Sequence, residues 1–170
     1  MARLDILKYP DPRLRLKSEP VTRFDKDLKR HVDDLLETLY DGNAIGLSSP
    51  QVGTPRRILV TDLSGNASEP QVYMNPEIVS KAAWGLVEES CMSIPGIVGT
   101  VIRATAVRVR AQDSQGRIFE HDLTGMKAVC LQHEVDHLNG KLFIDRLSIF
   151  RRLAILARVR AKLRQQNKAA

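Results

Sequence analysis

The stretch QHEVDHLNG, residues 132–140, carries two histidines four positions apart with a glutamate directly after the first. On a helix, His133 and His137 lie one above the other, so both imidazoles can point at a single ion. Glu134 is rotated about a third of a turn away. From there it can reach a water on the ion without itself being a ligand, as a general base requires. A polar helix face carries the same residue types, so the metal reading needs a third ligand.

Nothing downstream supplies one. The metzincin pattern H-E-x-x-H-x-x-G-x-x-H holds through Gly140, but Phe143 stands at its last histidine. Glu134 is the last glutamate, and Asp145, the only carboxylate beyond the motif, reads as a cap for a third helix. Upstream, the candidates are His31, His121, the carboxylates and Cys91. His31 sits in an amphipathic helix and reads as solvated or partly packed; His121 lies in an ordinary strand. Cys91 differs, because EESCMSIPG holds it in a segment bounded by proline and glycine, just before a long strand. A thiolate there would complete a Cys-His-His tetrahedron with its fourth corner open to water. Taken as a lone cysteine it reads better as a small buried hydrophobe.

These residues need elements to hold them. Pro10, Pro12 and Pro20 make residues 1–22 an extended, turning arm. Leu28, Val32, Leu35, Leu36 and Leu39 recur at helical spacing behind Asp25 as cap, which predicts an amphipathic helix over 26–41. Strand composition follows at 57–63, 71–74, 78–80, 101–110 and 117–123. The HEVDH helix starts near Thr124 or Gly125 and closes at Asn139-Gly140. A third helix is expected over 146–166, with Leu147, Phe150, Leu153, Ala157 and Ala161 on one side. Strands grouped between helices, without βαβ alternation, favour an α+β fold in a single domain.

Charge and cysteine usage narrow the setting. From Arg146 onward there are eight basic residues and no acidic one, which leaves 18 basic and 20 acidic residues in 1–145. A basic helix on a mildly acidic body suggests a polyanionic partner rather than sequence-specific nucleic-acid binding. Arg3, Asp5 and Lys8 stand where a signal peptide needs an apolar core, and no apolar run is long enough to span a membrane, so a cytoplasmic protein is expected. In a reducing compartment Cys91 and Cys130 are free thiols or ligands; Cys130, one turn before His133, reads as core or as a neighbour of the site. Glu89 and Arg103 are charges that need partners if buried, and they are expected to pair beside the site.

Three segments, AIGLSSPQVG (44–53), EESCMSIPG (88–96) and QHEVDHLNG (132–140), together resemble the signature motifs of the peptide deformylases, in that family's order and separations. The opening LDILKYPDPRL resembles the family's start, and the resemblance spans residues 1 to about 148. It implies antiparallel β-sheets packed around a central helix that carries HEVDH, flanked by the amphipathic N-terminal helix and the basic C-terminal helix of residues 146–170. It implies Cys91, His133 and His137 as metal ligands and Glu134 as catalytic acid and base. Gln51 and the backbone N–H of Met92 become oxyanion donors, and Gly46 and Leu47 the backbone along the substrate. Ile45, Val87, Met126 and Val129 fall where the methionine pocket is lined. The implied substrates are N-formylmethionyl peptides, and the implied native ion is Fe²⁺, with Zn²⁺ or Ni²⁺ as substitutes. Bacterial members can dock a terminal helix on the ribosome, so the ribosome is the implied polyanionic partner.

The motifs depart from the family in four places. Ala44 and Ser90 replace usual glycines, and Ser48-Ser49 stand where two alanines are common. No proposed chemical group is lost, so these changes bear on rate and substrate preference. Two rival readings share the three ligands: a zinc peptidase or other metal amidohydrolase, and a catalytically weak, metal-stabilised module that binds the ribosome.

Overall fold

The computed structural model describes residues 2–169; the side chains of residue 160 and of 162–169 lie outside that description. Its framework is one antiparallel sheet whose five strands run in chain order, β1 (Gly46–Ser48), β2 (Ile58–Thr61), β3 (Gln71–Cys91), β4 (Ile94–Gln112) and β5 (Ile118–Thr124). Three helices complete it: α1 (Lys26–Asp41), α2 (Gly125–Leu138) and α3 (Ile149–Ala169). The α+β class expected from the sequence is the class observed, built on a single sheet.

α1 is the amphipathic helix the spacing predicts. Asp25 accepts from the Leu28 N–H at 3.0 Å, and Leu28, Val32, Leu35 and Leu39 pack with Leu47, Ile58, Val60 and Met74. α2 is different in kind, since every residue from Ala128 to Leu138 is buried. Its apolar members pack on Leu59, Tyr73, Val107 and Val109 of the sheet. Gln132 fixes the helix to β4 by pairing with both backbone groups of Ala104, at 3.3 and 2.7 Å.

Three expectations are corrected. The short strands placed at 71–74 and 78–80 belong to one 21-residue strand, broken only by irregularities near residues 74–77 and 78–80, and β4 begins at Ile94 rather than 101. KAAWGLVEES has weak strand composition; it is extended because β4 lies opposite as a partner, a tertiary effect. Cys91 therefore ends a strand, paired across a two-residue turn with Ile94. Asp145 caps the short 3₁₀ turn Phe143–Arg146, accepting from the Leu142 N–H, and pairs with Arg15 and Arg152. Ser148, whose Oγ lies 3.5 Å from the Arg151 N–H, is what stands at the start of α3.

α3 also presents a different side to the body. Ile155 is buried against Leu142, Phe143 and Leu147, with Val159 beside it, while Phe150 is 82% and Leu153 55% exposed. The apolar stripe drawn through residues 150, 153 and 157 therefore faces solvent. No helix among the described residues is long and apolar enough to cross a membrane.

Candidate active site

The extended N-terminal arm positions two loops at once. The Leu7 N–H donates to the Gln51 carbonyl and the Tyr9 N–H to the Ser93 carbonyl, both at 2.7 Å, while Lys8 Nζ reaches the Met92 carbonyl at 2.7 Å. The turn that carries Gln51 and the β3–β4 turn after Cys91 are thus held side by side. α2 brings His133, Glu134 and His137 against them.

Cys91 Sγ lies 3.2 Å from His137 Nε2, and one ligand atom from each of Cys91, His133 and His137 lies within 4.8 Å of the others. All three side chains are buried. His133 Nδ1 is engaged by Glu89 at 2.8 Å, which leaves its other nitrogen free to turn toward the sulfur. Three converging donors of the Cys-His-His type, one already oriented by a carboxylate, fit a divalent cation that prefers sulfur and nitrogen. His137 Nδ1 is buried without a hydrogen-bond partner among the described residues.

Charge is balanced behind the ligands. Arg103 donates to Glu89 at 2.6 and 2.9 Å and to Asp136 at 2.6 Å, and Asp136 also accepts from Arg146 at 2.5 and 2.6 Å. The pair expected from the sequence exists. Asp136 and Arg146, its continuation toward the surface, are what sequence reasoning missed. The available signal was that one guanidinium offers five donors and Glu89 can satisfy only part of them. Burial works to raise the Glu89 carboxyl, but Arg103 and His133 outweigh it and hold the group at about 2. Burial pushes Glu134 up, partly offset by His133 and by the Ser48 hydroxyl. Burial likewise drives His137 well below the ordinary imidazole value, with His133 adding to the effect. His133 moves the other way, because its hydrogen bonds to Cys91 and Glu89 overcome burial.

Gln51 is buried, with Nε2 3.7 Å from Cys91 Sγ and 3.3 Å from Ser93 Oγ. A cavity of about 480 Å³ opens beside these groups, and its lining includes Ile45, Gly46, Gln51, Cys91, Met92, Met126, Val129, His133 and Glu134. Val87, expected to line the methionine pocket, is not among the residues around this cavity, and Leu47 is expected to offer only its backbone. Val87 packs with the cluster around Ile94 and Phe143, and the Leu47 side chain packs with α1. On β3 it is Glu88 to Cys91 that reach the cavity; Val87, further from the turn, is covered by the core. Ile97 and Val98 from β4 add apolar lining that was not anticipated. Gly46 has no room for a side chain: a Cβ would lie 2.8 Å from a Glu134 oxygen and 2.6 Å from Cys130 Sγ. Cys130 is buried, lines the cavity and directs its Sγ at the Ile45 carbonyl at 3.5 Å. His31 is half-buried against Ser49 Oγ at 2.7 Å, and His121 packs on Phe119; neither approaches the three donors.

A sheet-and-helix fold that gathers three metal-type donors and a buried glutamate beside one cavity fits the class of metal-dependent hydrolases. Residues 3–152 match the family model for polypeptide deformylase. A peptide deformylase of Cellvibrio japonicus is 46% identical over 170 residues, covering 99% of this chain and 98% of that protein. One from Alkalilimnicola ehrlichii is 48% identical over 166 residues, 97% and 93% of the two chains. A crystal structure of a peptide deformylase from Legionella pneumophila superposes with a TM-score of 0.91 at 43% identity, covering 98% of each chain. One from Ehrlichia chaffeensis in complex with actinonin gives 0.89 at 35% identity, covering 95% of this chain and 98% of that one. The chain belongs to the polypeptide deformylase family, enzymes that remove the formyl group from the N-terminal formylmethionine of new polypeptides.

The Glu89 carboxyl titrates lower in the folded chain than in the unfolded one, so its stabilisation is complete above about pH 4.5 and lost as pH falls toward about 2. Glu89→Leu leaves Arg103 short of a partner and is expected to cost about 3–5 kcal/mol at pH 7. Urea denaturation across that window should show a shallower acid loss in the variant than in the parent.

Proposed function

We propose that Cys91, His133 and His137 hold one divalent cation and that residues 1–170 work around it as a single catalytic domain. The donor chemistry suits both Fe²⁺ and Zn²⁺, and the resemblance of the motifs favours Fe²⁺, with Zn²⁺ or Ni²⁺ as substitutes. Bound there, the cation would act as a Lewis acid and make water a nucleophile at neutral pH. Glu134 takes the proton from the attacking water and returns it to the departing amine nitrogen. A carboxyl whose affinity for protons is raised by burial is suited to both steps. Gln51 Nε2 and the Met92 N–H donate to the carbonyl oxygen as negative charge develops on it. Formate and a free amino terminus are the products.

Ile45, Met126 and Val129 form the wall that receives the methionine side chain. Gly46 lets the substrate backbone pass close to Glu134. Leu47 contributes backbone alone, and Val87 supports the wall from behind. The observation that carries the reading is the approach of a buried glutamate, a buried carboxamide and three metal-type donors to one cavity. Metal-loaded protein, handled anaerobically, should release formate from formyl-Met-Ala-Ser and leave unformylated Met-Ala-Ser intact. Glu134→Gln should retain metal and lose activity by at least about 10²-fold, as loss of a general acid–base group does. Hydrolysis of the unformylated peptide would transfer the protein to the peptidases.

We further assign the protein to the cytoplasm and its basic α3 to the phosphates of the ribosome, with no sequence-specific nucleic acid and no membrane. The +8 charge from residue 146 onward supports this. Ile155 ties α3 to the body, so neutralising Arg151, Arg158, Arg160, Lys162 and Arg164 to glutamine is a gentler test than truncation after Leu147. Neutralisation should weaken ribosome binding and flatten its salt dependence, while turnover of the tripeptide stays the same; unchanged binding contradicts the assignment.

A further inference from the structure

Ser48 departs from the alanine common at this point of the first motif, and it is wholly buried. Its N–H and its hydroxyl both donate to the same acceptor, Gln51 Oε1, at 2.8 and 2.7 Å. That oxygen has two lone-pair directions, and both are taken. The carboxamide therefore has one permitted orientation. Turned over, its NH₂ would face two donors; as it stands, Nε2 is aimed past Ser93 Oγ toward Cys91 Sγ, into the cavity. The turn that carries both residues is itself held from outside by the Leu7 N–H on the Gln51 carbonyl and by His31 on the neighbouring Ser49.

We propose that the Ser48 hydroxyl is a positioning group that this chain adds to the reaction, locking the Gln51 carboxamide with its N–H bonds toward the substrate carbonyl. The proposal rests on the oxyanion role given to Gln51 above. With alanine at 48, the backbone N–H alone would orient the amide, and Oε1 would keep one buried lone pair without a donor. At a carboxamide this deeply buried, such a lone pair favours any rotation that finds it a partner. A donor present only part of the time stabilises the developing oxyanion only part of the time, so the effect falls on turnover and not on substrate binding.

The test is a double-mutant cycle on the metal-loaded, full-length protein with formyl-Met-Ala-Ser, using Ser48→Ala, Gln51→Ala and the pair. Ser48→Ala alone should lower kcat about three- to tenfold, the scale of one net hydrogen bond, with KM within about twofold. Added to Gln51→Ala it should change kcat by less than about 1.5-fold, because its route of action is already gone. In the zinc-loaded, ¹⁵N-labelled protein the Gln51 side-chain amide signals should shift and broaden in Ser48→Ala, while melting temperature and metal content hold. An equal loss of kcat in both backgrounds overturns the proposal. So does a loss confined to KM, melting temperature or metal content, or a Gln51 signal that does not respond. If Gln51→Ala is as active as the parent, the oxyanion assignment fails instead, and the two failures are distinguishable.

Discussion

Four ionisable side chains on one helical stretch, His133, Glu134, Asp136 and His137, are buried together, and that burial is the constraint the remaining structure answers to. Removing them from water is costly unless each finds a partner. Arg103 makes it possible by bridging Glu89 and Asp136 from β4, and Glu89 passes the interaction on to His133. The ribbon of β3 and β4 is long because it must deliver three residues, Glu89, Cys91 and Arg103, to the same side of α2. The N-terminal arm, with little regular structure of its own, closes the assembly by bonding to both loops that flank the metal donors.

Electrostatic asymmetry follows from this arrangement. The two histidines are one helical turn apart with ring centroids 5.0 Å from each other, yet they are driven in opposite directions. His133 has the Glu89 carboxylate on its Nδ1, whereas His137 Nδ1 has no hydrogen-bond partner among the described residues, and its lowering by burial is reinforced by His133. Glu134 remains as the one carboxyl of the group with a buried oxygen lacking a hydrogen-bond partner among the described residues.

Much of this was legible in the sequence, for reasons that differ by residue. H-E-x-x-H carries its geometry in its spacing, since on a helix residues 133 and 137 stack one turn apart, close enough to share an ion. Cys91 could be chosen only with the help of neighbouring motifs, because a single cysteine has no periodicity to read. The strand over 81–91 was not legible: its composition is indifferent, and only the partner strand makes it extended. The outward turn of Phe150 and Leu153 was equally hidden, because an apolar stripe states that a helix has a face and not which neighbour exists to cover it. Asp136 lay in plain view within HEVDH, but its role depends on an arginine 33 residues away in the chain.

The proposed chemistry requires one sulfur and two imidazole nitrogens to bind the same cation. Titration of the metal-free protein with Co²⁺ under anaerobic conditions reads this directly, since cobalt bound by a cysteine sulfur gives a near-ultraviolet sulfur-to-metal charge-transfer band. One equivalent should saturate that band in the parent protein. The band should vanish in Cys91→Ser, and affinity should fall at least about tenfold in His133→Ala and in His137→Ala. Stoichiometric cobalt binding without the band, or a band that survives in Cys91→Ser, would contradict it.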